Sequence, residues 1–234
     1  MVAAVLYATV GHGGASSYLA IFALSGEVSP QEMRASALVL NLIVSAISFI
    51  GFRTKNHFDR RTFGLLIITS VPAAFVGGLV QLPGNIYQII LGIFLLMAAL
   101  KITGIFGRNG SKEKEMSLSG GLISGAILGF ISGVIGIGGG IILSPLLLLF
   151  GWAPMKTTAG VSAAFIFVNS AAGLGGLFTS NQLFLHPKLP WWALLVLAGG
   201  IVGSITGSRY LSGRQVQWML AAVLLTASVK LLLL

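Results

Sequence analysis

The stretch GVIGIGGGIILSPLLLLFG, residues 133–151, decides how the chain is read. It lies in an apolar run with no charge between Met116 and Met155, and Gly136, Gly138, Gly139 and Gly140 cluster inside it. Glycine admits positive φ and close approach to a ligand. Irregular backbone at membrane depth survives only where protein or a polar cavity satisfies it. The sequence therefore predicts a helix interrupted inside a hydrophobic segment, with Pro145 in the first turn of the helix that restarts, where its missing N–H costs nothing. Such a helix N-terminus, aimed inward, offers unpaired N–H groups and the positive end of the helix dipole to an anion. Tight helix packing through glycine is the competing reading.

A related stretch, VGHGGASSYLAIFALSG, occupies residues 10–26. Laying Gly11–Ala15 over Gly136–Gly140 brings Ser29-Pro30 beside Ala153-Pro154 with a one-residue slip. It also sets Ala35–Ala37 beside Ala159–Val161, Ala73–Gly77 beside Gly199–Gly203, and Ala98–Lys101 beside Ala227–Lys230. Two halves with an interrupted segment at corresponding positions point to a transporter site at the repeat interface.

The 234 residues are 56% hydrophobic and 8% charged, with a mean hydropathy of +0.97, far from the roughly one-quarter charged residues of soluble domains. The expectation is an all-α integral membrane protein of two homologous halves with four hydrophobic elements each. The first element of each half is broken at its Gly-rich motif, and the halves form an inverted repeat. Residues 1–106 make the first membrane repeat, 107–116 a cytoplasmic linker and 117–234 the second repeat. The formal charge of +9 does not suggest nucleic acid, because Lys and Arg lie in short connections rather than on one basic face. Membrane topology accounts for them. The absence of cysteine excludes disulfides, thiol catalysis and cysteine-based metal sites; neither metal nor cofactor is expected. Met1–Val10 has no basic leader and is not read as a cleaved signal peptide. A homo-oligomer is compatible with this composition.

Full spans are predicted over Ala35–Phe52, Thr62–Leu82, Ile86–Ile105, Thr157–Ser180, Trp191–Arg209 and Gln215–Leu234. Gly121, Gly125, Gly129 and Gly133 recur every four positions, a face for close helix contact. If each Gly-rich element is a hairpin, eleven Lys and Arg fall on one side of the membrane and three on the other. Full crossing gives a weaker asymmetry, and both topologies place Arg53–Arg61 and Arg108–Lys114 in the cytoplasm. Leu118–Phe150 is too long for a single span, which favours hairpins.

All five carboxylates, Glu27, Glu32, Asp59, Glu113 and Glu115, fall in loops or at helix starts. No span then offers an acid for cation binding or proton relay, which suits an anion path. The candidate substrate-binding residues are Gly13, Gly14, Ser16, Ser17, Asn41, Gly138, Gly139, Gly140, Ser144, Ser162 and Asn169. Hydroxyls and amides among them can donate to an oxyanion without adding fixed charge. His12, at membrane depth and suited to titrate near neutral pH, is the coupling candidate. Arg34 and Lys156, at the starts of the helices after the two motifs, are candidate entrance charges. There is no G-x-S-x-G, H-E-x-x-H or phosphate-loop signature, so no catalytic residue is assigned and an enzyme is not expected.

On its two Gly-rich stretches, residues 133–151 and 10–26, the chain resembles the sulfite exporter TauE/SafE family of membrane proteins over nearly its whole length. The resemblance implies secondary, ATP-independent movement of sulfur-containing anions such as sulfite, sulfonates, sulfoacetate or thiosulfate across the cytoplasmic membrane. Its partners would be a small anionic substrate and the lipid bilayer. The first motif ends in Ala15 rather than glycine, lacks the proline of the second, and follows a shorter arm. A passive anion channel and a non-transporting membrane scaffold are the alternatives from other classes.

Overall fold

A computed structural model describes residues 2–9, 11–25, 27–80 and 114–206, with isolated positions between 83 and 100 and between 218 and 233. Among the described residues the chain is helical, without strands: α1 (Val2–Thr9), α2 (Ala15–Ser25), α3 (Pro30–Arg53), α4 (Arg60–Leu79), α5 (Leu118–Ile135), α6 (Gly140–Leu149), α7 (Met155–Thr179) and α8 (Leu189–Ile205). Four helical stretches, Glu32–Arg53, Arg60–Leu79, Leu118–Ile135 and Met155–Thr179, are long and apolar enough to cross a bilayer, where about 20 residues suffice. This is a multi-pass membrane protein. Most of the linker and of the expected spans Ile86–Ile105 and Gln215–Leu234 lie outside the described residues.

The helix starts follow local chemistry. Ser29 and Glu32 form a reciprocal capping box before α3, with Pro30 in its first turn, so two amides that the helix cannot satisfy are paired. Asp59 accepts from the Arg61 and Thr62 amides at 3.0 and 3.1 Å and caps α4. Ser117 caps α5 through the Gly120 amide. Pro145 is the sixth residue of α6 rather than part of its first turn; the helix is started earlier, by Gly139 in the left-handed conformation.

The packing has a regular pattern. α4 lies on α5, α8 on α1; α4 also meets α7, and α8 meets α3; α2 packs on α3, α6 on α7; α5 touches α7, α1 touches α3; and α3 meets α7. Exchanging α1–α4 with α5–α8 maps this set of contacts onto itself. The small-residue face of α5 is the reason it approaches α4 closely: Cβ atoms at Gly129 and Gly133 would run into the backbone of Ser70 and Ala74. Gly203 of α8 is likewise pressed against the Val5 carbonyl and Ala8 of α1. α3 and α7 are antiparallel, since Gly160, early in α7, abuts Phe52 at the end of α3 and His57 in the loop beyond it, while Gly173 faces Leu38 in the first half of α3.

α5 and α6 fold back on each other. The Lys114 amide donates to the Gly151 carbonyl at 2.9 Å, and Trp152 covers Gly120 while stacking on Phe150 at 4.8 Å. The segment from Lys114 to Trp152 therefore begins and ends on one face, which also carries Asp59 and Arg61. The end of α2 lies on the opposite face, where Phe22 meets Trp192 at 4.6 Å and Glu27 pairs with Lys188 at 2.7 Å. α5 has 18 residues, or about 27 Å at the standard rise.

Candidate functional site

Between α5 and α6 the backbone turns left-handed three times, at Gly136 (φ +80), Gly138 (φ +72) and Gly139 (φ +76). A side chain at any of these positions would be strained. The Gly136 amide closes α5 on the Ser132 carbonyl at 2.8 Å, and α6 begins at Gly140 without a side-chain cap. The Ile142 and Leu143 amides close on the Gly139 carbonyl at 3.2 and 3.0 Å, so the amides that the helix geometry leaves without an acceptor are those of Gly140 and Ile141. Between α1 and α2, Gly11 (φ +74) and Gly14 (φ +92) make the corresponding turns.

Asn41, fully buried at the middle of α3, joins the two turns. Its Oδ1 accepts from the Ala15 amide, the first of α2, at 3.0 Å. Its Nδ2 donates to the Ile137 carbonyl, inside the second turn, at 3.1 Å. One carboxamide therefore satisfies backbone from both Gly-rich segments, 26 and 96 residues away in sequence. Gly13 must be glycine for this arrangement, because a Cβ there would overlap the Asn41 side chain.

Around Gly138 and Gly139 lie Asn41, Ser132 of α5, and Phe165, Ile166 and Ser170 of α7. A Cβ on Gly138 would meet Ser170 Oγ at 2.8 Å, and one on Gly139 would meet Ser132 Cβ at 3.1 Å. Both serines are fully buried, and neither hydroxyl has a hydrogen-bond partner among the described residues. Buried hydroxyls without partners are uncommon in folded proteins. The neighbourhood of Gly138 and Gly139 can thus donate two hydroxyl protons together with helix N-terminal amides, and the charged side chain of Arg34 lies against Gly136 at the start of the same turn.

The sequence candidates separate in this geometry. Gly13, Gly14, Asn41, Gly138, Gly139 and Gly140 come together at the paired turns. Ser144 and Ser162 are buried but hydrogen-bonded to each other at 2.8 Å, joining α6 to α7. Ser16 Oγ pairs with Tyr7 Oη at 2.6 Å, while Ser17 beside it is half-buried. Asn169 donates to the Phe165 carbonyl one turn back in α7, and its Oδ1 is buried without a donor among the described residues. His12 is buried with its ring edge-on to Tyr7, centroids 6.3 Å apart.

Arg34 sends its guanidinium to backbone carbonyls: Val80 at 2.9 Å and Gly77 at 3.0 Å at the C-terminal end of α4, and Gly133 near the end of α5. A cation at two helix C-termini complements their dipoles, so this charge ties helix ends together. Lys156 stands on the face of the Arg53–Arg61 loop, where burial and then the Lys156 charge lower the His57 pKa. A cavity of about 380 Å³ on that face is lined by Asp59, Arg61, Lys114, Glu115 and Trp152. It holds the Arg61–Glu115 ion pair at 2.5 Å and lies at the far end of α5 from Gly136.

Sequence reasoning missed Tyr7, Tyr18, Ser132 and Ser170. Tyr18 stands four residues after Gly14, and because helical side chains lean toward the N-terminus this spacing brings its ring back over the turn; Ser132 meets the turn at Gly139, a contact that no local spacing signals.

The chain matches the family described as Sulfite exporter TauE/SafE over residues 1–231. It is 38% identical over 235 residues to the Probable membrane transporter protein y4hK of Sinorhizobium fredii, covering 99% of this chain and 94% of that protein. It is 31% identical over 144 residues to the Probable membrane transporter protein MJ0441 of Methanocaldococcus jannaschii, covering 61% and 53%. The Probable membrane transporter protein YtnM of Bacillus subtilis is 25% identical over 186 residues, covering 76% and 61%. No solved structure matches the chain.

Proposed function

Since the chain belongs to the sulfite exporter TauE/SafE family, we propose that this membrane transporter is a secondary transporter of small sulfur-containing anions such as sulfite, sulfonates, sulfoacetate or thiosulfate. The substrate binds where the two Gly-rich turns meet. The observation that carries this reading is the Asn41 bridge, which holds the Ala15 amide and the Ile137 carbonyl on one carboxamide. It sets the N-terminus of α2 beside the turn that leads into α6. Helix N-termini favour negative charge. The Ser132 and Ser170 hydroxyls and the amides of α6 supply donors, and the described carboxylates lie at loops and helix starts, away from the turns.

The halves 1–106 and 117–234 form an inverted repeat joined by a cytoplasmic linker at 107–116. The exchange of contacts between α1–α4 and α5–α8 supports this, as does the antiparallel setting of the equivalent helices α3 and α7. Gly11 lies against Ala159 and Gly136 against Arg34, so each Gly-rich turn meets the start of the long helix of the other half within one residue of the corresponding position. The two hairpins enter from opposite faces, so rocking of one half against the other would expose the junction alternately. The face bearing Arg53, Lys55, Arg60, Arg61, Lys114 and Lys156 is cytoplasmic by the positive-inside rule, in the inner membrane.

Thermal-shift screening of the purified protein against sulfite, sulfate, thiosulfate, sulfoacetate and taurine tests the substrate class, because a ligand stabilises the fold it binds. A concentration-dependent rise in Tm with at least one sulfur oxyanion is expected. No rise with any of them would remove sulfur-containing anions as substrates.

A further inference from the structure

The two turns are chemically unlike. Phe165 and Ile166 stand with Ser132 and Ser170 at the second, whereas Tyr7, His12, Ser16 and Tyr18 surround the first. Tyr18 stands out within that polar set. Its ring folds back over the start of its own helix, so that a Cβ on Gly14 would meet Tyr18 Oη at 2.7 Å and Cζ at 2.8 Å. The side chain is 5% exposed, and Oη has no hydrogen-bond partner among the described residues. Tyr7, by contrast, places its hydroxyl 2.6 Å from Ser16 Oγ.

The position of this hydroxyl restricts what could satisfy it. It lies at the N-terminal end of the 11-residue α2, where the helix dipole favours negative charge. The Ala15 amide is taken by Asn41, and the phenol makes no hydrogen bond to Asn41 Oδ1 or to any other described residue. An apolar ligand would leave the O–H unsatisfied in a dry environment, and a cation would meet the positive helix end. An oxyanion oxygen accepts from the O–H and is favoured by the dipole at once, and a hydrogen bond to a charged acceptor is stronger than a neutral one.

We propose that Tyr18 Oη donates a hydrogen bond to an oxygen of the transported anion at the first Gly-rich turn, and so helps to select oxyanions. This rests on the anion-transport reading above. It assigns the first half of the chain a recognition role through a residue that has no counterpart in the second half, where Leu143 stands one repeat later.

The test is the Tyr18→Phe variant, which keeps the ring and removes the hydroxyl. Purified wild type and variant are titrated with sulfite and with thiosulfate by thermal shift, and the same anions are followed as flux into proteoliposomes. The variant breaks no hydrogen bond seen within the protein, so its ligand-free Tm should equal or exceed that of wild type. The anion concentration for half-maximal stabilisation should rise about ten-fold, the scale of one hydrogen bond to a charged group, with a matching rise in the transport KM. Tyr7→Phe, which breaks the Ser16 bond, should instead lower the ligand-free Tm. If Tyr18→Phe lowers the ligand-free Tm and leaves half-saturating anion and KM unchanged, Tyr18 is structural and the assignment fails while the transport reading stands. If wild type itself shows neither stabilisation nor flux with either anion, the assignment and its premise fall together.

Discussion

Asn41 Nδ2 donates to the Ile137 carbonyl across 3.1 Å, between residues 96 apart in sequence. The carbonyl belongs to a left-handed turn with no helix or strand to satisfy it, and the amide comes from the middle of a spanning helix. Because Asn41 also accepts from Ala15, the two Gly-rich turns are held in one register by a single buried side chain.

Replacing Asn41 with Ala would leave the Ala15 amide and the Ile137 carbonyl without this partner. Each buried polar group so orphaned costs about 1–3 kcal/mol. The expected result is a clear fall in Tm and loss of anion-dependent stabilisation. Asn41→Leu should be no better, since volume alone does not restore the bonds. Thermal unfolding of the purified variants measures this, and a wild-type Tm in both would show that the bridge contributes nothing.

Glycines in this chain separate into two kinds. A Cβ at Gly64 of α4 would meet nothing within 4 Å, whereas one at Gly129 of α5 would strike the Ser70 backbone. Gly64→Ala should therefore stabilise by about 0.5–1 kcal/mol, the helix preference for Ala over Gly. Gly129→Ala should destabilise by pushing α5 off α4. Equal effects of the two substitutions on unfolding would refute the close α4–α5 contact.

Much of the fold was legible because it depends on local composition and period. Long uncharged runs announce spanning helices, and the four-residue spacing of Gly121, Gly125, Gly129 and Gly133 puts small residues on one helix face. The candidate site was less legible because its bonds join distant segments. Nothing local distinguishes Asn41, which bridges both turns, from Asn169, whose amide bonds back into its own helix. Ser144 and Ser162 have the right chemistry for an anion but are hydrogen-bonded to each other. Ser132 and Ser170 were passed over although their hydroxyls lack partners among the described residues. Pro145 misled by its type, since the start of α6 is set by the left-handed Gly139.

Asp59 provides an acid-sensitive cap. Burial alone would raise the pKa of its carboxyl, but hydrogen bonds from the Thr62 side chain and the Arg61 and Thr62 amides, with the Arg61 charge, hold it below the ordinary value. A carboxylate whose pKa is lower when folded than unfolded contributes stability above its unfolded pKa, and that contribution is lost as pH falls through the folded pKa. Asp59→Ala should cost about 1 kcal/mol at neutral pH, as for loss of a helix N-cap. The difference from wild type should shrink below about pH 4. A difference that grows on acidification would contradict the cap.

The hairpin arrangement predicts sidedness. Lys114 and Lys156 lie on the face of the Arg53–Arg61 loop, while Glu27 and Lys188 pair on the other. Single cysteines at 114 and 156, introduced into this cysteine-free chain, should be protected together from an impermeant reagent added outside intact cells. Cysteines at 27 and 188 should be labelled together. Labelling of 156 with 188 rather than with 114 would rule out the hairpin.

Flux of sulfite and thiosulfate into proteoliposomes, compared between wild type and Gly139→Leu, tests the central claim most directly. Gly139 has φ +76, and a side chain there would press on Phe165 and Ser132. A leucine would fill the space beside the second turn at a position where side chains are strained. The account predicts saturable anion flux in wild type that is lost in Gly139→Leu, with the variant still inserted in the membrane. Wild-type flux from an inserted Gly139→Leu protein would contradict a site at the junction of the two Gly-rich turns.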